Sequence, residues 1–397
     1  MTVKTRARRV TEFFDSYTKD LKAEDLQKLF TRDAREAYRF LTRGVQTDAF
    51  KALPWHKRLL AEARVLFIAF TMKLSPARRA VYGVSLVLMV IGLINLFQGI
   101  GMSDSIPVPP LGMRVRVATP LFQQGTVALL VAFGLMNLLV LLEVADRLSL
   151  KNDLEIARDI QQAMLPSSGY TAAGVETFGM SRPANTVGGD FYDILPLDDG
   201  RLIVAVGDVA GKGSPAALLM ALLLAMLRTL VDENLDPAPL VTRLNAQVCR
   251  HAPGTRFITL FYAVYDPASG SLTYVNAGHT QPLLVRTNRS SERLTEGGIA
   301  LGMFEGSTYQ TGHVTIQPDE LVAVYSDGIT EAEDPQGRQF DEGGLEAALK
   351  ANLDGTITNI GSAVVRAVER HTADTRLADD LTILLLRRTV APAPAGV

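Results

Sequence analysis

The sequence is poor in the residues on which several common kinds of site depend. It has one cysteine, Cys249, in 397 residues, which excludes a disulfide scaffold and a zinc site with several thiolate ligands. Charged residues make up 21% of the chain and hydrophobic residues 47%. That balance excludes a disordered chain and leaves enough apolar material for a core. The length has room for two or three domains.

Charge of either sign is missing from two long stretches. Residues 80–103 and 117–142 contain no Asp, Glu, Lys or Arg, and a helix needs roughly 20 apolar residues to cross a bilayer. A short segment with three prolines, IPVPPLG, joins them. We therefore predict two membrane spans within residues 80–143, although two buried helices of a soluble protein would show the same pattern. The shorter apolar run at 215–227 is predicted to be a buried helix of a soluble domain.

The net charge of −2 hides an uneven distribution. Residues 1–80 contain 18 Lys or Arg and 9 Asp or Glu, whereas residues 81–397 contain 22 and 33. Basic residues precede the first span and follow the second, and basic flanks of membrane spans remain in the cytoplasm. These residues are Lys73, Arg78, Arg79, Arg147 and Lys151. The pattern predicts that both termini are cytoplasmic.

Helices are predicted on both sides of the spans. Within the basic region 1–79, apolar residues from Leu26 to Leu41 recur every three or four positions, and a second helical stretch covers 59–72. This region either packs on itself or lies on anionic lipid headgroups. Residues 144–166 form a predicted connector helix with an apolar stripe, which either packs on the next domain or pairs two copies as a homodimer. The stripe consists of Leu150, Leu154, Ala157, Ile160 and Met164.

Aspartates stand at the ends of predicted strands in the domain at 167–388. The runs 190–197 and 201–207 are joined by Asp-Asp-Gly, a hairpin signal that brings Asp190 and Asp208 to one edge. A later strand, 321–326, ends at Asp327. The last strand, 381–386, follows Asp379 and Asp380. If these two strands are antiparallel neighbours, their aspartates also share one edge.

Clustered carboxylates repel one another, and a divalent cation bound by oxygen ligands, Mg²⁺ or Mn²⁺, relieves that repulsion. Each aspartate could instead be an ordinary turn residue. Two motifs differ from the signatures that they resemble, one in its spacing and one in a residue. GDVAGKG has three residues between its first glycine and the GK pair, whereas a P-loop has four followed by Ser or Thr. VGGDF has phenylalanine where the GG-acid-EF turn of diguanylate cyclases has glutamate.

Six segments in this region resemble the bacterial PP2C-type serine/threonine phosphatases of the SpoIIE/RsbU group. They cover residues 154–387 in the order of that family, which implies an α+β fold, an α-β-β-α sandwich with a two-metal centre, preceded by the all-α membrane hairpin. The segments are LEIARDIQQAMLP, RPANTVGGDFYD, VGDVAGKGSPAALLM, NAGHTQPLL, YSDGITEA and DDLTILLL.

The resemblance implies roles for individual residues. Asp208 resembles the carboxylate that bridges both cations, with the Val209 carbonyl as another ligand, and Asp190 resembles the acid that reaches a cation through water. Asp327 and Asp379 resemble further ligands, with Asp380 ranked behind Asp379. Asp208 and Asp190 are thus the predicted catalytic residues. Lys212 and Arg182 are candidates for binding the substrate phosphate, and His279 either lies near the site or is a structural histidine.

These observations predict a protein serine/threonine phosphatase in the bacterial inner membrane that depends on two Mn²⁺ or Mg²⁺ ions. Its expected substrate is a phosphorylated cytoplasmic regulator of the anti-sigma antagonist type, and no nucleic acid partner is expected. The alternative is a catalytically silent PP2C-like module that binds a partner. A sensor with an external ligand-binding domain is disfavoured because too few residues lie outside. Residues 389–397 are predicted to be a disordered tail.

Overall fold

The structure is a computed structural model that describes residues 54–98, 100–108, 113–166, 169–252, 256–373 and 377–389. The chain divides into two compact units, Met1–Leu148 and Ser149–Val397. Two predicted features lie outside the described residues: the helix from Leu26 to Leu41 and the tail beyond Thr389.

The first unit is mainly helical. Its elements are α1 (Trp55–Lys73), α2 (Pro76–Gln98), β1 (Ile100–Val108), β2 (Met113–Pro120) and α3 (Leu121–Met164), of which α3 continues into the second unit. α1 includes the helical stretch predicted at 59–72. α3 runs for 44 residues without a break, so the second predicted span and the predicted connector are parts of one helix.

The segment between α2 and α3 is a β-hairpin, where the sequence predicted only a short connecting segment. The charge-free runs continue past Gln98 and start before Leu121, into β1 and β2, which pair antiparallel with Ser105 opposite Arg116. Absence of charge does not distinguish helix from strand. The alternation of β-branched residues in MRVRVATP does, because it favours a strand.

α2 and α3 approach each other closely at two glycines. A Cβ on Gly92 would lie 2.7 Å from Cγ of Leu129, and a Cβ on Gly125 would lie 2.8 Å from the carbonyl oxygen of Gly92. Small residues let helix backbones come into contact, as they commonly do in membranes. At one end of this pair, Arg78 binds Asp146 with an N–O distance of 2.8 Å.

Much of the apolar surface of α2 and α3 has no protein partner in the described part of the chain. Val87, Leu130 and Phe133 are 58%, 64% and 69% exposed. Such a surface is unfavourable in water and usual in contact with lipid. Among the residues that the structure describes, three segments are long and apolar enough to cross a membrane: Pro76–Phe97, Gln124–Met164 and Ser214–Val231. The apolar helices of the first unit therefore indicate membrane association.

The second unit has two six-stranded sheets and helices on both outer faces. The strands are β3 (Thr171–Ala172), β4 (Val175–Arg182), β5 (Phe191–Pro196), β6 (Leu202–Val209), β7 (Ile258–Asp266), β8 (Ser271–Ala277), β9 (Leu283–Val285), β10 (Ser291–Arg293), β11 (Gly297–Gly298), β12 (Gly312–Thr315), β13 (Leu321–Tyr325) and β14 (Leu381–Arg388). The helices are α4 (Ser214–Val231), α5 (Pro237–His251), α6 (Asp327–Thr330), α7 (Asp341–Ala351) and α8 (Ile357–Thr372).

The order of strands is β10-β9-β13-β14-β4-β3 in one sheet and β11-β8-β7-β6-β5 in the other, with β12 beside β8. Three apolar clusters fill the spaces between four layers. One lies between α4, α5 and the second sheet, one between the two sheets, and one between the first sheet and α7, α8. Alternate residues of β14 face the last two clusters, Ile383 on one side and Leu384 on the other. This arrangement confirms the predicted α-β-β-α sandwich.

The predicted hairpin between the first two long strands of the second sheet is confirmed. β5 and β6 pair antiparallel, and Gly200 adopts a φ of 88° in the turn, a conformation that glycine allows at little cost. β13 and β14 are also antiparallel neighbours, with Tyr325 opposite Ile383. Both predicted pairs of strand ends therefore lie together.

α4 is apolar enough to span a membrane, but it packs inside the second unit. Leu219, Leu223 and Leu227 are buried in the cluster against the second sheet, whereas Leu222 is 40% exposed. A helix in the core of a soluble domain has such a buried face. The predicted buried helix at 215–227 is confirmed.

We expect Leu223→Ala to destabilise the second unit by about 2–5 kcal/mol, because it removes a fully buried side chain and leaves a cavity. Leu222→Ala, one position away on the exposed face, is expected to change stability by less than about 0.5 kcal/mol. Urea unfolding followed by circular dichroism measures both. Equal effects of the two substitutions would contradict the packing of α4.

Candidate active site

Two carboxylates of the second sheet face each other at its edge. Asp190 immediately precedes β5, and Asp208 lies near the end of β6. Because Phe191 is paired with Gly207, these aspartates come next to one another. The charge of Asp208 raises the pKa of Asp190, which agrees with this proximity. The predicted convergence of Asp190 and Asp208 is confirmed.

Three carboxylates of the first sheet join this pair. Asp327 begins α6 directly after β13, and Asp379 and Asp380 precede β14. Antiparallel pairing of β13 with β14 places them at the same edge. The pKa of Asp208 is raised to about 6, mainly by burial and also by the charges of Asp327, Asp379 and Asp380. These three predicted aspartates therefore lie within electrostatic reach of Asp208.

Burial is the main reason why the ionised form of the carboxylates at this edge is unfavourable. It raises the pKa of Asp190 well above its ordinary value, with the charge of Asp208 as the second cause. It also raises the pKa of Asp327, where Glu331 and then Asp379 add to the effect. Like charges in a poorly solvated place favour the protonated form or a bound cation.

Asp380 holds the loop that leads to Asp190. Its Oδ1 accepts the backbone N–H of Ala184 at 2.8 Å, and its Oδ2 accepts the N–H of Gly189 at 2.7 Å. Gly188 also lies against this carboxylate, since a Cβ there would be 2.3 Å from Oδ2. Two backbone donors occupy the carboxylate, so Asp380 serves as an anchor of the loop.

Lys212 is paired with a predicted metal ligand. Its Nζ lies 2.8 Å from Oδ2 of Asp379 and donates to the carbonyl of Ala378 at 2.7 Å. The hydrogen bond to Asp379 raises the pKa of Lys212. The ammonium group is thus at the predicted site, but its partner is a carboxylate of the protein.

Arg182 has a partner away from the aspartate cluster. It ends β4, and its Nη1 donates to Oε1 of Glu369 on α8 at 2.7 Å, with both side chains 41% exposed. Its Nε is buried without a hydrogen-bond partner. The structure therefore brings the guanidinium to Glu369 instead of directing it to the carboxylates.

The space beside Asp208 depends on Gly189. A Cβ at this position would lie 2.9 Å from the carbonyl oxygen of Val209 and 3.3 Å from Oδ1 of Asp208. A side chain would therefore fill the gap between two predicted oxygen ligands. The Val209 carbonyl and the Asp208 carboxylate border the same small space, as a shared ligand sphere requires.

The donor set fits a hard divalent cation. Oδ2 of Asp190 is buried and has no hydrogen-bond partner, and every predicted ligand atom is an oxygen, the donor that Mg²⁺ and Mn²⁺ favour. In the described part of the chain, no three acidic, histidine or cysteine side chains already form a complete set of ligands. The Lys212–Asp379 pair would have to separate before Asp379 could join such a set.

His279 is a buried histidine behind this edge. Its Nδ1 lies 2.9 Å from Oγ1 of Thr259, the residue opposite Asp208 in the ladder of β6 and β7. Burial lowers the pKa of His279 to about 4, so the ring is neutral near pH 7. Of the two predicted alternatives, the hydrogen-bonded structural histidine describes these contacts.

Two polar residues at this edge escaped the sequence analysis. Ser326 is fully buried and donates from Oγ to the carbonyl oxygen of Asp380 at 3.2 Å. Gln161 of α3 bonds to the backbone of Gly188. Ser326 directly precedes Asp327 in the motif YSDG, so its position next to a predicted site residue could have indicated it. Gln161 belongs to the predicted connector helix but not to its apolar stripe, and nothing in its spacing indicates the contact.

The raised carboxylate pKa values predict how the stability of the metal-free protein depends on pH. The folded state holds more protons than the unfolded chain between the ordinary aspartate pKa of 3.8 and the value of about 6 for Asp208. Stability should therefore fall as the pH rises through this range. With a chelator present at pH 7, Asp208→Asn is expected to stabilise the protein by about 1–3 kcal/mol.

Thermal unfolding of the full chain at several pH values measures this effect. Asp232→Asn, at an exposed aspartate after α4, is the control and should follow the parent protein. A parent whose stability rises between pH 4 and 6, or an Asp208→Asn variant that is less stable at pH 7, would contradict the repulsion.

Comparisons with known proteins agree with this architecture. Residues 198–389 match the family described as Stage II sporulation protein E (SpoIIE). Protein IcfG of Synechocystis sp. is 29% identical over 277 residues, which are 63% of this chain and 43% of IcfG. Phosphoserine phosphatase RsbU of Bacillus subtilis is 27% identical over 246 residues, which are 61% of this chain and 71% of RsbU. The match thus spans less than half the length of IcfG.

A solved structure shows the same fold. The SiaA-PP2C domain of Pseudomonas aeruginosa superposes with a TM-score of 0.53 at 21% sequence identity, covering 61% of this chain and 98% of that domain. The carboxyl-terminal domain of this chain is therefore similar to the SpoIIE family over residues 198–389 and has the fold of a PP2C-type phosphatase domain.

Proposed function

We propose that this protein is a membrane-anchored phosphatase that hydrolyses phosphoserine or phosphothreonine on a cytoplasmic regulatory protein and depends on Mn²⁺ or Mg²⁺. The observation that carries the proposal is the space at Gly189, which the Val209 carbonyl and Oδ1 of Asp208 border, together with the buried, unpartnered Oδ2 of the next residue, Asp190. A PP2C-type domain with this donor set supports hydrolysis more than mere binding.

The residues have distinct roles in this proposal. Asp190, Asp208, the Val209 carbonyl, Asp327 and Asp379 would hold two divalent cations. When bound, the cations supply Lewis acidity at an attacking water and offset negative charge on the phosphoryl group. The burial of Asp190 and Asp208 keeps bulk water from screening these charges.

The remaining polar residues position the site and the phosphate. Asp380 holds the loop before Asp190 through two backbone amides. Lys212, once Asp379 has another partner, can turn its ammonium group to the substrate phosphate. Arg182 can contribute only after leaving Glu369. Burial raises the pKa of the Cys249 thiol, which disfavours a covalent thiol mechanism.

The substrate class follows from the resemblance to the SpoIIE/RsbU group. RsbU carries the description of a phosphoserine phosphatase, and we infer a phosphorylated anti-sigma antagonist or a similar small switch protein as the substrate. The cytoplasmic place of the domain follows from two spans, α2 and the first part of α3, in a bacterial inner membrane with both termini inside. Basic residues in 1–79 would contact anionic lipid headgroups.

A homodimer through α3 is part of the proposal. Of the predicted stripe, Met164 packs against the core of the second unit, whereas Leu150 and Ile160 are 62% and 60% exposed. Neighbouring Ile156 is 52% exposed as well. A second copy of this helix would cover these side chains, as in a short coiled coil.

Catalysis is tested with the full chain in detergent, a phosphoserine peptide and Mn²⁺. We expect the parent protein to release phosphate and a chelator to stop the release. Asp208→Asn should reduce the rate by more than about 100-fold, because loss of a residue that only orients a metal ligand already costs up to about 100-fold. Asp232→Asn should have no effect. A parent protein without activity would favour the silent binding module, and activity that survives Asp208→Asn would refute the ligand assignment.

The dimer is tested by disulfide cross-linking in membranes. In a Cys249→Ser background, Leu150→Cys is expected to form a cross-linked dimer on oxidation, because equivalent positions of a parallel helix pair lie together. Asn152→Cys, on the opposite side of α3, is the matched control and should remain a monomer on a non-reducing gel. Equal cross-linking at both positions would argue against a specific helix pair.

A further inference from the structure

A glutamine of α3 is joined directly to the loop that carries Asp190. Gln161 is only 8% exposed. Its Nε2 donates to the carbonyl oxygen of Gly188 at 2.8 Å, and its Oε1 accepts the N–H of Gly188 at 3.2 Å. Both polar atoms of the side chain are therefore satisfied by the backbone of one residue. A buried amide with such a pair of bonds fixes the position of that residue.

The same loop is held from its other side by Asp380. Gly189, the residue after Gly188, donates its N–H to Oδ2 of Asp380, and Asp190 follows. The loop thus lies between the α3 side chain and the carboxylate, and both must be in place to define its path. A cavity of about 20 Å³ is lined in part by Gln161, Gly188 and Asp190.

Two more contacts tie the end of α3 to the strand that follows Asp190. Oη of Tyr192 donates to the carbonyl of Pro166 at 2.9 Å. Nη2 of Arg228 donates to the carbonyl of Met164 at 2.7 Å, while the Arg228 side chain also binds the buried carboxylate of Asp193. The carboxyl end of α3 is therefore linked to the chain on both sides of Asp190, to Gly188 before it and to β5 after it.

We propose that Gln161 is a positioning residue for the metal site: its two bonds to Gly188 set the place of the Asp190 carboxylate relative to Asp208. The inference rests on the proposed function, because it assigns Gln161 to the cation site of that phosphatase. Residues that orient metal ligands from outside the ligand set typically change metal affinity or activity by about 10–100-fold. Gln161 does not contact the Asp190 carboxylate itself, and it acts through the backbone of Gly188.

A role in packing alone would have a different signature. Loss of the side chain would then lower the stability of the fold and leave cation affinity unchanged. Positioning predicts the opposite result: cation affinity falls and the stability of the fold changes little, because Gly188 loses the two hydrogen bonds that fix its backbone. Gln162, the next residue, is exposed and borders the same cavity, which makes it a matched control.

The test measures Mn²⁺ binding to the full chain in detergent by isothermal titration calorimetry, together with kcat and KM for a phosphoserine peptide. Gln161→Leu keeps most of the volume and removes both bonds. We expect its Mn²⁺ dissociation constant to rise about 10–100-fold, with kcat lowered at limiting Mn²⁺ and KM for the peptide unchanged. Gln162→Leu should match the parent protein in all three quantities.

Gln161→Glu decides the outcome if Gln161→Leu does not fold. It retains an acceptor for the N–H of Gly188 and loses the donor to its carbonyl, so an intermediate rise in the dissociation constant is expected. Parent-like Mn²⁺ affinity in the folded Gln161 variants would overturn the inference while leaving the phosphatase proposal intact. A parent protein that neither binds Mn²⁺ nor releases phosphate would overturn both.

Discussion

Repulsion among carboxylates at one edge of the two packed sheets is the constraint around which the second unit is arranged. Asp190 and Asp208 lie side by side at the paired ends of β5 and β6, and burial raises the pKa of both. In water such groups would separate, but the ladders of β5 with β6 and of β13 with β14 keep them together. The apolar clusters on both faces of the sheets stabilise the strands and thereby hold the charges in place.

The protein compensates for this charge with two devices. Lys212 supplies a positive charge to Asp379, and the backbone amides of Ala184 and Gly189 satisfy Asp380. Asp190 has neither device at Oδ2. A buried carboxylate oxygen without a hydrogen-bond partner therefore belongs to the residue that follows Gly189, where a bound cation would offset its charge. Its loop is in turn fixed by Gln161, so a side chain of α3 bears on the electrostatics of the edge.

Burial separates three helices that look alike in composition. α2, α3 and α4 all contain segments apolar enough to cross a membrane. α4 buries Leu219, Leu223 and Leu227 against a sheet, whereas Leu130 and Phe133 of α3 face outward. The greater length of the charge-free runs predicted this difference for α2 and α3. The ends of these helices could not be predicted in the same way, because the charge-free runs extend into the first part of β1 and the last part of β2, where the backbone is a strand.

The sequence by itself determined the strands β5, β6, β13 and β14, the turn that joins β5 to β6, and the aspartates at the ends of these strands, because alternation and turn residues act over a few neighbouring positions. Only the tertiary structure decided the partners of the longer polar side chains. Lys212 meets Asp379, Arg182 meets Glu369, and Gln161 meets Gly188. These partners are separated by tens to hundreds of positions along the chain, and a flexible side chain binds whichever charge or backbone group the packing brings within about 3 Å.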